Sequence, residues 1–143
     1  MRVLLMIILA LGVMGAALGE PRCAGVDNSD VECLNYRPKQ VHIALAGKDE
    51  SGNSNSMSVS WNTKMKTDTS IVKYGTVSGQ YDSTSVGSSA AYYVTLNHHV
   101  TLGDLKPDTT YYYVVGDEEV ALSQEFSFKS APLSTDPQVR ENW

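Results

Sequence analysis

His98 and His99 are adjacent imidazoles, and Gly103-Asp104 and Gly116-Asp117 are two Gly-Asp pairs further along the chain. Such residue types build metal-dependent hydrolases, so their spacing decides whether they can act together. Neighbours on a strand point to opposite faces, and His98 and His99 therefore cannot grip one ion jointly. His98 keeps parity with Val100 and Leu102 and is expected inward with its ring nitrogens satisfied. His99 turns outward with Thr101, and His42 stands alone at the surface. Each Gly-Asp pair falls at a strand end, where both residues are ordinary turn formers. Neither is followed by the further Gly-Asn-His or Gly-His-x-His cluster that a two-metal site demands. Asp117-Glu118-Glu119 is a short acidic run without the Asp-x-Asp-x-Asp-Gly loop that would hold calcium. From these residues the chain carries no catalytic residue, no metal ligand and no cofactor of its own.

Other kinds of site fare similarly. There is no nucleophile elbow, no Gly-rich phosphate loop and no Asn-x-Ser/Thr sequon. Cys23 and Cys33 are the only cysteines. In an oxidising compartment such a pair closes a disulfide around a short loop. Two thiolates alone lack the four ligands of a structural zinc. Tyrosines cluster at Tyr92, Tyr93, Tyr111, Tyr112 and Tyr113. Alternation turns Tyr112 and one of Tyr92 and Tyr93 away from the core, so Tyr92, Tyr93 and Tyr112 form a possible contact surface.

The elements that must position these residues read as short strands. Val41, Ile43 and Leu45 alternate with His42, Ala44 and Ala46; Met57, Val59 and Trp61 alternate with Ser58, Ser60 and Asn62, with Trp61 as the core anchor. Residues 70–76 give a third strand with Val72 and Tyr74 inward, and 81–86 a weaker fourth. Residues 90–96 are expected to lead directly into the strand through Val100. A further strand starts at Tyr111, and 123–129 closes the set with Phe126 and Phe128 inward. Between the two strands ending and starting at Leu102 and Tyr111, the spacing Leu105, Pro107, Thr109, Tyr111 is that of a tyrosine corner, where a tyrosine hydroxyl bonds back to the preceding turn. About seven short strands with regular turn signals predict an all-β antiparallel sandwich of the fibronectin type III or immunoglobulin kind. No segment keeps a helical period. Residues 47–56 form a polar loop, and 133–143 read as a polar tail.

Length and charge set the remaining bounds. Of 143 residues, 11 are basic and 16 acidic, a net charge of −5. With no basic stripe to neutralise phosphates, nucleic-acid binding is excluded as a function class. The uncharged run Val3 to Gly19 follows Met1-Arg2 and ends in small residues, which predicts a signal peptide over 1–19, secretion, and no membrane association after cleavage. The remainder divides into a leader over 20–37 with the Cys23–Cys33 clip, one domain over 38–132 and the tail over 133–143.

The segments Gln40-Val41-His42-Ile43-Ala44-Leu45, Met57-Ser58-Val59-Ser60-Trp61, Val72-Lys73-Tyr74-Gly75 and His98-His99-Val100-Thr101-Leu102 resemble the N-terminal domain of purple acid phosphatases. The resemblance continues through Leu105–Tyr113 and Phe126–Pro132, covering roughly Pro38 to Pro132. It implies a fibronectin-III-like sandwich that precedes a metallophosphoesterase domain. That second domain would hold iron(III) paired with iron, zinc or manganese and hydrolyse phosphomonoesters at acid pH. Its ligand motifs find no matching positions here, because the sequence after Ala131-Pro132 reads Leu-Ser-Thr-Asp-Pro-Gln-Val-Arg-Glu-Asn-Trp. The expectation is a secreted, non-catalytic accessory domain of this family, with a metallophosphoesterase domain or another extracellular protein as partner. The alternatives are a stand-alone extracellular module that binds protein or glycan, and a truncated gene model of a complete acid phosphatase.

Overall fold

Strong alternation along Met57–Thr63 makes the strand around which the molecule is assembled. Met57, Val59, Trp61 and Thr63 are buried, and Ser58, Ser60 and Asn62 lie half-exposed between them. A computed structural model of the chain describes residues 20–25, 30–48 and 54–133. The expected signal peptide, residues 49–53 of the polar loop and the tail beyond Leu133 lie outside the described residues.

Among the described residues, nine strands and one short helix follow in order. The helix is α1 (Val31–Tyr36); the strands are β1 (Lys39–Leu45), β2 (Met57–Thr63), β3 (Ile71–Gly75), β4 (Ser83–Val86), β5 (Ser88–Tyr92), β6 (Thr95–Leu102), β7 (Thr110–Asp117), β8 (Ala121–Leu122) and β9 (Phe126–Lys129). One antiparallel sheet has the order β1-β2-β6-β5. The other runs β4-β3-β7-β8, with β9 also paired to β7. The fold is an all-β sandwich with more strands than the seven expected from turn spacing, because the segment from 90 to 100 is divided into β5 and β6 and a short extra strand, β8, precedes the expected last one. Residues 83–92 change sheets at Gly87, where a Cβ would meet the His99 carbonyl, so only glycine lets the chain cross there. The expected strand over 123–129 is shortened to β9, and β8 lies ahead of it.

Two local expectations change. Residues 90–96 do not feed straight into the following strand. They form the β5–β6 hairpin, whose turn holds Tyr93 at φ 55°. The helix α1 has no sequence period to announce it, since six residues make less than two turns. It forms because Asp30 caps it by accepting from the Cys33 amide at 3.1 Å, and because the Cys23–Cys33 disulfide closes over it.

The main core lies between the central strands. Met57, Val59 and Trp61 of β2 and Val100 and Leu102 of β6 face Val72 of β3, Tyr111, Tyr113 and Val115 of β7, and Phe128 of β9. Leu105 closes one end. A second, smaller cluster joins the disulfide to Ala121, with Tyr36 and Val120 against it. Backbone bonds from Arg22 to Glu119 and from Cys23 to Val120 tie this leader to the β7–β8 turn, beside the main core rather than within it.

Candidate functional site

The histidine pair is divided between the two faces of β6. His98 is buried against Trp61, its cross-strand partner on β2, with ring centroids 5.0 Å apart and planes 2° from parallel. Its Nε2 lies 2.9 Å from the Thr63 hydroxyl and its Nδ1 2.8 Å from the Ser70 hydroxyl. The Thr63 hydroxyl already donates to the Met65 carbonyl at 2.8 Å, so it can only accept from the ring. The network therefore assigns the proton to Nε2 and makes Ser70 the donor to Nδ1. Both nitrogens are used, which leaves His98 no lone pair for a metal. It serves as a polar strut from the end of β2 to the start of β3, joining one sheet to the other. Burial lowers its pKa from 6.5, with the charge of Asp117 acting in the opposite direction.

Asp117 belongs to the same end of the sandwich. Its carboxylate accepts from the Thr69 amide at 2.8 Å, the Thr69 hydroxyl at 2.9 Å and the Glu119 amide at 2.9 Å. Burial acts to raise its pKa, but the Thr69, Glu119 and Val120 donors outweigh that and hold it below the ordinary carboxylate value. A carboxylate so fully engaged shapes the 69–70 connection and the β7–β8 turn. Among the described residues no group of three or more His, Cys, Asp or Glu is placed to hold a metal ion. Asp104 sits at φ 54° in the turn after β6, and Glu118 pairs with Lys73 at 2.6 Å.

At the other end, Tyr111 is buried and its hydroxyl accepts from the Lys106 amide at 3.0 Å. The Thr109 hydroxyl donates to the Pro107 carbonyl, and the Thr109 amide donates to the Ser130 hydroxyl. Ser130 in turn bonds the Lys106 carbonyl, so β6, β7 and the end of β9 are fixed together around Leu105. These contacts are structural in kind. A third polar knot, missed from sequence, centres on Glu125, which accepts from the Ser78 hydroxyl, the Gly79 amide and the Tyr81 hydroxyl. Those bonds lower Glu125, while burial and the Glu125 charge push Tyr81 up to about 12.

The three tyrosines of the expected contact surface do not form one platform. Tyr92 and Tyr93 are 70% and 98% exposed at the tip of the β5–β6 hairpin. Tyr112 is half-buried on β7, in the opposite sheet. Both hairpin tyrosines are exposed because Tyr93 occupies the turn, where strand alternation no longer applies. Tyr92 shares its face with Ala90 and Ser88, and that outer face of the β1-β2-β6-β5 sheet holds a shallow depression of about 410 Å³. Gln40, His42, Asn62, Asn97 and His99 line it. Sequence reading placed His42 and His99 outside but gave no sign that they share a concavity, because cross-strand register is not visible in one strand.

A family model described as "Purple acid Phosphatase, N-terminal domain" matches residues 38–130. Among similar curated proteins, probable purple acid phosphatase 20 of Arabidopsis thaliana is 41% identical over 101 residues, covering 66% of this chain and 22% of that protein. Acid phosphatase type 7 of Danio rerio is 38% identical over 91 residues, covering 58% and 19%. Among solved structures, a purple acid phosphatase from yellow lupin (Lupinus luteus) seeds superposes with a TM-score of 0.57 at 19% identity, over 71% of this chain and 20% of that one. The chain thus spans about a fifth of the length of the relatives it matches. The match runs from the residue before β1 to Ser130 at the corner, the whole sandwich, and on it the chain belongs to the purple acid phosphatase family, of which it carries the N-terminal domain.

Proposed function

We propose that this domain is a secreted, non-catalytic accessory domain that docks against a metallophosphoesterase domain through the core-side face of β1. The observation that carries the reading is an apolar stripe left uncovered. Ile43 and Leu45 pair with Val59 and Met57 and point the same way, yet they are 41% and 52% exposed. A sheet face whose apolar residues overhang the core needs a further layer, and the relatives supply chain enough for one. The disulfide Cys23–Cys33 supports an oxidising destination. With iron and zinc supplied, the purified chain is expected to leave a chromogenic phosphomonoester intact. It is expected to bind the separately expressed remainder of a full-length relative, and Ile43→Ser with Leu45→Ser should abolish that binding. Turnover by the chain alone, or binding indifferent to the double substitution, would overturn the proposal.

A further inference from the structure

The outer face of the β1-β2-β6-β5 sheet is chemically unlike the opposite sheet. Around the other sheet, Lys73 pairs with Glu118 and Lys129 with Asp108. The depression on this face is lined, among the described residues, by no Asp, Glu, Lys or Arg. Its polar groups are amides, hydroxyls and the imidazoles of His42 and His99, which offer both donors and acceptors. Small residues keep it open: the pairings Ser60↔His99 and Ser88↔His99 set serines on the strands to either side of His99, whose ring lies 3.3 Å from the Ser58 hydroxyl, and Ala90 pairs with Asn97.

Two features show that the amide groups are held in place. The β1–β2 register breaks between Lys39 and His42, and within that bulge Gln40 adopts φ 51°. A left-handed conformation is unfavourable for a residue with a Cβ, and bulges re-aim side chains. Here the result is that Gln40 Oε1 accepts from Asn62 Nδ2 at 2.7 Å. The remaining Gln40 Nε2 donors and the Asn62 Oδ1 acceptor are left for a ligand. Tyr92, 70% exposed and two residues along the same face from the lining residue Ala90, offers a flat apolar ring beyond the depression on the same strand.

We propose that this depression is a binding site for a short neutral oligosaccharide. Paired hydroxyls of a sugar match amides that both donate and accept, and the C–H face of a pyranose matches an exposed tyrosine ring. The volume falls within the range of small-ligand sites. An anionic glycan would have to surrender hydration to a lining without Lys or Arg, which is costly. The site is separate from the Ile43–Leu45 stripe, since adjacent residues of β1 face opposite sides. It stands or falls independently of the docking role.

The test is an amide NMR titration of the full chain with gluco-, xylo- and manno-oligosaccharides, and with a uronic-acid oligosaccharide as the charged comparison. At least one neutral series is expected to give saturable shifts centred on Ser60, Asn62, Ser88, Asn97 and His99. Tyr92→Ala and Asn97→Ala, both at exposed positions, should each weaken that binding tenfold or more, while Lys73→Ala on the other sheet leaves it unchanged. Unperturbed resonances of Trp61 and His98 will show that the variants remain folded. No saturable shift with any neutral series overturns the proposal. So do shifts centred on the opposite sheet, equal binding of the uronic-acid oligosaccharide, or affinity indifferent to Tyr92 and Asn97.

Discussion

Strands β1 and β2 lie side by side in one sheet and carry the same alternating pattern, Val41-Ile43-Leu45 in one and Met57-Val59-Trp61 in the other. The register sets Leu45 opposite Met57 and Ile43 opposite Val59, all on the core side. Yet Met57 and Val59 are 5% and 0% exposed, while Leu45 and Ile43 are about half uncovered. The difference arises in the other layer. β3 and β7 lie beneath β2 and β6, whereas along β1 only Val41 is packed against the core, and the Ile43–Leu45 end is left largely uncovered. Period decides which way a side chain points; coverage depends on how far the facing sheet reaches. The same pair of strands also differs at the backbone, since β2 is regular throughout its pairing with β6 and β1 is broken by the bulge at Gln40.

The sharpest way to break this contrast is to truncate opposed residues one at a time. Met57→Ala should cost the chain about 2–5 kcal/mol, because it removes buried methylenes and leaves a cavity. Leu45→Ala, directly across the ladder, should cost less than about 0.5 kcal/mol, in line with exposed positions. Urea denaturation of both variants measures the ratio. Equal losses would mean that β1 is covered in solution. Adding the docking partner should raise the cost of Leu45→Ala and leave that of Met57→Ala unchanged, because only the former gains a covering surface.

A second test concerns what holds the covering layer in position. Tyr111 anchors β7 to the turn before it, and β7 is the strand that lies across the sandwich from β2. Tyr111→Phe keeps the ring against Phe128, at 5.6 Å between centroids, but deprives the Lys106 amide of its acceptor. The expected loss is about 1–2 kcal/mol, the cost of one unsatisfied and partly buried donor. Its signature should be faster amide exchange at Lys106 and along the start of β7, with β1 unaffected. Slowed or unchanged exchange at Lys106 would show that the turn does not depend on the hydroxyl.

The corner and β2 were legible in the sequence for a shared reason: each is written in consecutive or near-consecutive residues. Leu105, Pro107, Thr109 and Tyr111 determine their own turn, and Met57 to Thr63 determine their own facing. What depends on two distant segments was not legible. The β5–β6 hairpin was read as one strand because Tyr92-Tyr93-Val94 has no Gly, Pro, Asn or Asp to mark a turn, and Tyr93 takes the left-handed conformation without such help. The helix α1 owes its existence to a cap and a disulfide rather than to a period. The depression on the outer face arises from the alignment of Gln40, Asn62 and Asn97 across three strands, which only pairing register brings together. The Glu125 knot likewise joins residues more than forty positions apart.

The smallest expected effect separates β2 from β1 by pH. β2 is tied to the start of β3 through His98, whereas β1 has no buried titratable group on its core face. His98 is neutral in the folded chain, and its pKa lies below the unfolded value of 6.5. Above pH 6.5 both states are neutral and stability is indifferent to this group. As the pH falls through 6.5 the unfolded chain takes up the proton first, so stability declines until the folded pKa is passed. The slope within that window approaches about 1.4 kcal/mol per pH unit for one proton. Asp117 acts lower on the scale, because its folded pKa lies below 3.8; its contribution is present above that value and is lost as pH falls through the folded one. Denaturation midpoints measured downward from neutrality should therefore show a first decline that His98→Gln flattens, since a neutral amide retains partners for Thr63 and Ser70 without a proton to gain. The NMR titration of the His98 ring should place its midpoint below 6.5, and exchange at Ser70 and Thr63 should quicken with it while exchange along β1 does not. A ring that titrates above 6.5, or a decline that survives His98→Gln, would remove the strut from the account and leave the apolar faces alone to distinguish the two strands.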